Sequence, residues 1–146
     1  MATEILINDG GAPARIMNLA PANAAIEAGM FVDINSSGKI VAAGTGFADV
    51  EEDVDSGHKV HLGVLLTDAA SGGPTNIVCG RGVVCNVQAG EALATVGTEI
   101  TIDGDGKAEA TADAGAHRAV GTTLAASFNG TDSGGNTTVF VKVLLI

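Results

Sequence analysis

Apolar and polar residues alternate with a period of two over much of the chain, which is the spacing of β-strands. In the segment 30–35, Met30, Val32 and Ile34 share one face of such a strand. A Ser-Ser-Gly turn follows and predicts a hairpin with residues 39–43. The alternation recurs in the segments 60–66, 77–79, 83–87 and 99–110. This pattern predicts an all-β fold of about seven to nine short strands.

The final segment, 137–146, is apolar on both of its faces. One face carries Val139, Val141, Val143 and Leu145, and the other carries Phe140, Leu144 and Ile146, with Lys142 as the only charge. A strand of this kind is covered on both faces, because an exposed version would aggregate. One face therefore meets the core, and the other meets either another subunit or the N-terminal residues. We assign Phe140, Leu144 and Ile146 to an interface between subunits.

The N-terminal residues follow a different pattern. A turn-rich Asn-Asp-Gly-Gly-Ala-Pro cluster occupies positions 8–13, and Pro21 interrupts the apolar stretch that comes after it. This predicts an extended N-terminal arm over residues 1–25 and a globular domain over residues 26–146. Residues 22–28, closed by a glycine, are the best helical candidate in the chain.

Composition narrows the classes of function. The chain of 146 residues has 17 acidic and 7 basic side chains and a formal charge of −10. This charge repels phosphate backbones, and the lack of Trp and Tyr removes stacking platforms, so we expect no nucleic-acid binding. The sequence shows no signal peptide and no apolar segment of membrane-spanning length, so we expect no membrane association. Cys79 and Cys85 are expected to be buried free thiols, the alternative being a disulfide across a hairpin at 80–82.

Few residues are candidates for catalysis or metal binding. The acidic run 49–55, near His58 and His61, lacks the spacing of a calcium loop and is interpreted as a solvated loop. The Asp-Gly-Asp-Gly sequence at 103–106 resembles part of a calcium-binding repeat, but between two strands it is typical of a hairpin turn. No nucleophile motif accompanies His117. We therefore expect no catalytic residues, no metal site and no cofactor, and we do not expect an enzyme.

The order of several segments is informative when they are taken together. Residues 28–34, 61–73 and 96–108 precede a Val-Gly-Thr-Thr-Leu segment within 119–127 and the apolar segment 138–146. In this order they resemble the small capsid decoration, or cement, proteins of tailed double-stranded DNA viruses. The Gly-Val-Leu-Leu and Gly-Thr-Thr-Leu segments, each followed by small residues, correspond to a rhythm that occurs twice in that family.

The resemblance covers roughly residues 20–146 and implies a small β-barrel or β-tulip-like domain. It implies a homotrimer that is made in the host cytoplasm and binds the outer surface of the virion capsid, where it holds neighbouring major capsid proteins together. The arm is then expected to add a strand to the sheet edge of a partner. Contacts with the capsid are assigned to Ile5, Leu6, Ile7, Arg15, Ile16 and Met17.

Two other classes of function remain open. One is a receptor- or glycan-binding β module on a virion surface, although sugar sites usually use the aromatic platforms that Trp and Tyr provide. The other is a trimeric β-barrel enzyme with sites between subunits, in which His58, His61 or His117 would meet carboxylates of a neighbour.

Overall fold

The computed structural model describes residues 2–8, 15–43, 62–111 and 119–146. Within these ranges it contains twelve strands and no helix, which confirms the all-β prediction. The predicted number of strands was too low because several strands have only three residues. The strands are β1 (Leu6–Asn8), β2 (Arg15–Met17), β3 (Phe31–Ile34), β4 (Ile40–Ala42), β5 (Gly63–Leu65), β6 (Ile77–Cys79), β7 (Val84–Gln88), β8 (Glu99–Ile102), β9 (Ala108–Ala110), β10 (Gly121–Thr123), β11 (Phe128–Thr131) and β12 (Thr137–Leu145).

The strands form two antiparallel sheets. Sheet A has seven strands in the order β1-β7-β12-β10-β8-β9, with β11 paired to the first half of β12. Sheet B has five strands in the order β2-β6-β5-β3-β4. Two backbone hydrogen bonds of 2.8 Å, from Gln88 N to Gly29 O and from Phe31 N to Gly106 O, link the sheets. The described strands do not close into a barrel, so the expected small all-β domain has the architecture of a compact β-sandwich.

The main core lies between the two sheets. It contains the inward residues of β12 together with Cys85 and Val87 of β7, and it meets the Phe31, Val64 and Val78 side of sheet B. On β12 the inward residues are Val141, Val143 and Leu145, as the period of two predicted. Each large aliphatic side chain that is fully buried in this way contributes about 1.5–3 kcal/mol.

A second cluster covers the other face of sheet B. Val32, Ile40, Leu65 and Ile77 pack there against Ala22, Ile26 and Ala69. Sheet B is therefore buried on both faces, which explains why β5 reads Gly-Val-Leu without a polar position.

The predicted helix at 22–28 is absent, and the segment lies irregularly over sheet B. Its amides bond to distant carbonyls: Ala22 N donates to Gly73 O at 3.0 Å, and Ile26 N donates to Ala69 O at 2.9 Å. Burial of Ala22 and Ile26 against sheet B outweighs the helical propensity of the alanines.

Both predicted hairpins are present, and each is closed by one side chain. At the β3–β4 turn, Asn35 Oδ1 accepts hydrogen bonds from the amides of Ser37 and Lys39, each at 3.0 Å. At the β8–β9 turn, Asp103 Oδ1 accepts from Asp105 N at 2.8 Å and from Lys107 N at 2.9 Å. The carboxylate of Asp103 thus stabilises the turn by hydrogen bonds, as the hairpin interpretation predicted.

The extended arm is corrected by the structure. The strand Leu6–Asn8 pairs with β7 in sheet A, and the strand Arg15–Met17 pairs with β6 in sheet B. Edge strands have backbone N–H and C=O groups without partners, and the N-terminal residues form hydrogen bonds with the edge strands of their own chain instead of those of a partner. The described residues before position 25 are therefore part of the sandwich.

Candidate interaction surface

β12 is the central strand of sheet A. Its residues Phe140–Leu144 pair with β7 on one side, while β11 and β10 pair with its two halves on the other side. Because side chains alternate along a strand, Phe140, Lys142 and Leu144 lie on the face of β12 opposite to Val141, Val143 and Leu145. We call this side of sheet A the outer face.

Phe140 is not available to a neighbouring subunit. Its exposed fraction is 1%, and it belongs to the main core cluster. Its ring stacks on that of Phe128, with centroids 6.1 Å apart and an interplanar angle of 25°. A Cβ placed on Gly29 would lie 3.1 Å from Phe140 and 3.2 Å from Ile5, so both residues border the same space. The assignment of Phe140 to a subunit interface is wrong, and the N-terminal residues cover it instead.

Residues 2–8, which we call the N-terminal segment, lie beside Phe140. Thr3 N donates to Thr131 O at 2.8 Å on β11, whereas Asn86 N of β7 donates to Ile5 O at 2.8 Å. The segment therefore runs from a contact with β11 to a contact with β7, and Thr3 and Ile5 both lie beside the space that Phe140 borders. In this position Ile5 is only 5% exposed.

The residues assigned to capsid contact lie in two places. Ile5 is buried and Leu6 packs against the core, so the prediction that they contact a capsid protein is wrong for this conformation. Ile7, in contrast, is 39% exposed on the edge strand β1.

The second group lies on β2, the edge of sheet B. Ile16 is 56% exposed, and Met17 is half-buried opposite Ile77. The backbone of Arg15 pairs with that of Cys79. The structure thus separates the six predicted residues between the edges of two sheets and leaves Ile7 and Ile16 as their exposed apolar members.

A partly exposed apolar strip lies at the C-terminal end of β12 on the outer face. Leu144 stands opposite Val84 of β7, and Leu124 follows β10, where its amide donates to Lys142 O at 2.8 Å. Leu124 and Ile146 are 41% and 55% exposed, and Val84 and Leu144 are half-buried. We call Val84, Leu124, Leu144 and Ile146 the outer strip. It contains two of the three residues that were assigned to the interface between subunits.

Polar neighbours surround the outer strip. Thr122 pairs with Leu144 on the side away from β7, and Glu99 pairs with Thr122. Lys142 lies between Leu124 and Asn86, and its register partner Asn86 is 6% exposed. An apolar centre with a polar border is the composition of a protein–protein contact.

Neither protein-family models nor curated protein sequences match this chain. None of the described residues belongs to a helix that is long and apolar enough to cross a membrane.

The cysteines are free, as predicted. Cys79 is half-buried at the end of β6, whereas Cys85 is fully buried in β7. Residues 80–82 connect sheet B to sheet A and do not form a hairpin within one sheet. Burial raises the pKa of the Cys85 thiol to about 11, because the core disfavours the thiolate.

The described residues contain no group of three or more His, Cys, Asp or Glu side chains that is placed to hold a metal ion. The acidic run 49–55 and His58, His61 and His117 lie outside the described residues. Asp132 acts as Asp103 does: its Oδ1 accepts from Asn136 N at 2.8 Å in the β11–β12 turn.

Sequence reasoning missed the contributions of Val84 and Leu124 to the outer strip. Each lies in a short segment whose alternation is visible, but neighbours across a sheet depend on strand order, which alternation does not encode. The pairing of Thr3 with Thr131 was missed for the same reason.

Proposed function

We propose that the chain is a structural protein of a virus particle that binds the outside of an icosahedral head as a homotrimer and holds neighbouring major capsid proteins together. The outer strip is the observation that carries the proposal, and the resemblance to decoration proteins supplies the identity of the partner.

The electrostatics of the chain favour the outer strip as the contact between copies. Each copy carries a formal charge of −10, so copies repel one another unless they meet on a face that lacks acidic side chains. The outer strip is apolar, and the charged residue beside it is the cationic Lys142. Glu99 stands farther out, at the border.

The centre of the outer strip is held within sheet A. Leu144 lies on the central strand, between Val84 of β7 and Thr122 of β10, and backbone hydrogen bonds fix it from both sides. Contacts on a rigid element lose little conformational entropy on association. Such a surface suits a permanent contact between subunits.

Trimerisation strengthens attachment to a shell. A trimer that touches several capsid proteins converts its later contacts into intramolecular ones, at millimolar effective concentration for short connections. Individually weak capsid contacts, such as those at the exposed residues Ile7 and Ile16, then add up to stable binding.

The contact between copies is tested by the double variant Leu124→Asp, Ile146→Asp. Native mass spectrometry should give a trimer for the unchanged chain and a folded monomer for the variant. The dissociation constant should rise at least ~100-fold, because unpaired carboxylates at a desolvated contact cost several kcal/mol. Leu19→Asp is the matched control, since Leu19 is 51% exposed and lies beyond β2, away from the outer strip. Trimers of undiminished stability in the double variant would exclude the outer strip as the contact.

The capsid partner is tested by co-sedimentation with emptied, expanded heads of the virus that carries this chain. The unchanged protein should sediment with the heads at a fixed ratio and raise their resistance to heat. A trimer that ignores the heads but binds a glycan array would instead support the receptor-binding alternative.

A further inference from the structure

The N-terminal segment occupies a slot that is shaped for it. A Cβ on Gly130 would collide with Thr3 Oγ1 and the Phe140 ring, and a Cβ on Gly29 would press on Ile5 and Phe140. Gly29 also has a φ of 86°, which side-chain-bearing residues rarely adopt. Two glycines thus keep space for Thr3 and Ile5 over the phenyl ring.

The segment is held in this slot by a small number of contacts. β1 has three residues, and its register with β7 shifts between Leu6 and Asn8. Beside it, the buried oxygens Asn86 Oδ1 and Gln88 Oε1 accept no hydrogen bond. A buried acceptor without a partner destabilises the closed state, because it has lost its bond to water. Asn86 also donates to Glu4 O of the segment, so release of the segment would give water access to Asn86 Oδ1, which lowers the free energy of local opening.

The slot and the outer strip share one face of the protein. Phe140, which forms the floor of the slot, and Leu144 of the outer strip lie on the same face of β12. A second copy seated on the outer strip therefore lies beside the slot. The connection from Asn8 to Arg15 has the sequence Asp-Gly-Gly-Ala-Pro-Ala and reaches at most about 25 Å.

We propose that the slot over Phe140 accepts the N-terminal segment of a second copy, so that subunits exchange residues 2–8. The hydrogen bonds to Thr131 and Asn86 and the burial of Ile5 are the same whichever copy donates the segment. Exchange of an identical element is a low-cost route to an oligomer, and within an assembly the donor is at high effective concentration. This inference rests on the self-association in the proposed function but not on the capsid.

The test is a disulfide between the segment and β11. The variant Thr3→Cys, Thr131→Cys, made with Cys79→Ser, joins positions whose backbones are hydrogen-bonded. After oxidation, denaturing electrophoresis without reductant should show covalently linked dimers and trimers if the segment is exchanged. The control is Thr3→Cys with Ser37→Cys, because Ser37 is exposed in the β3–β4 turn of the other sheet. The control should stay monomeric on the gel.

Three results would overturn the exchange. If native mass spectrometry shows a trimer but the disulfides form only within single chains, the trimer is supported and the exchange is excluded. If native mass spectrometry shows a monomer, both the trimer and the exchange are excluded. If no disulfide forms at all, the segment does not lie beside β11.

A second variant deletes three of the residues 9–14. The shorter connection makes it harder for the segment to bind the slot of its own chain, so the fraction of chains cross-linked to another chain should rise at least twofold.

Discussion

At the scale of single residues, Cys79 and Cys85 show how the sandwich gives similar side chains different chemistry. Cys79 ends an outer pair of strands in sheet B and is half-buried, while Cys85 faces Val143 in the core of sheet A. A thiolate in that core would lose its hydration without gaining a positive partner, so the thiol of Cys85 stays protonated. Its sulfur behaves as a small apolar group.

The raised pKa of Cys85 predicts a loss of stability at high pH. The thiol ionises near pH 9.0 in the unfolded chain and near 11 in the folded one, so its contribution is complete below pH 9 and declines between about pH 9 and 11. Urea unfolding at intervals across this range should show the decline. Cys85→Ala should be less stable at pH 7 but have a shallower slope. An equal slope in the two proteins would assign the alkaline loss to other groups.

At the scale of elements, the β-hairpins and the N-terminal segment differ in the sequence separation between the residues that stabilise them. The β3–β4 and β8–β9 hairpins were predictable because Asn35 and Asp103 bond to amides two and four positions away. The Thr3–Thr131 contact joins positions that are 128 residues apart. No local signal specifies such a pairing. The apolar face of β12 predicted that other residues bury it, but not which residues those are.

The same limit explains the wrong assignments of Phe140 and the helix. Phe140 and Leu144 look equivalent in the alternating pattern, yet the segment 3–5 covers one of them and leaves the other half-exposed. Residues 22–28 contain good helix formers, but hydrogen bonds to Gly73 and Ala69 decide their conformation. Long-range pairing overrode the local preference in both cases.

The N-terminal segment should depend on Ile5 more than on Ile7. Ile5→Ala leaves a cavity beside Phe140 and should lower the free energy of unfolding by about 2–4 kcal/mol, as for other buried aliphatic truncations. Ile7→Ala, two residues farther along the same segment, is the matched control and should cost under about 1 kcal/mol because the side chain is 39% exposed. The midpoints of urea unfolding measure both values. Equal losses would show that Ile5 is not seated over Phe140 in solution.

At the scale of the whole molecule, the charge and the outer strip act in opposite directions on assembly. Bringing copies of charge −10 together is unfavourable, and the apolar contact must exceed that repulsion. The balance depends on ionic strength, because the screening length falls from about 30 Å at 0.01 M salt to about 8 Å at 0.15 M.

Added salt should therefore strengthen the proposed trimer. Between about 0.02 M and 0.5 M sodium chloride, the dissociation constant measured by sedimentation should fall, since screening weakens the repulsion and leaves burial of the outer strip unchanged. Leu19→Asp should follow the same trend. A dissociation constant that rises with salt would mean that ion pairs between subunits hold the assembly.

The central position of β12 also has a mechanical consequence. This strand, which carries Leu144 of the outer strip, is bonded to β7 on one side and to β10 and β11 on the other. A load applied along it shears several hydrogen bonds at once, whereas a load that peels β1 from the sheet edge breaks them one at a time. Forced unfolding follows the unfolding rate, so a pull on β12 meets the higher barrier. The molecule is strongest along the strand that carries its proposed contact between subunits.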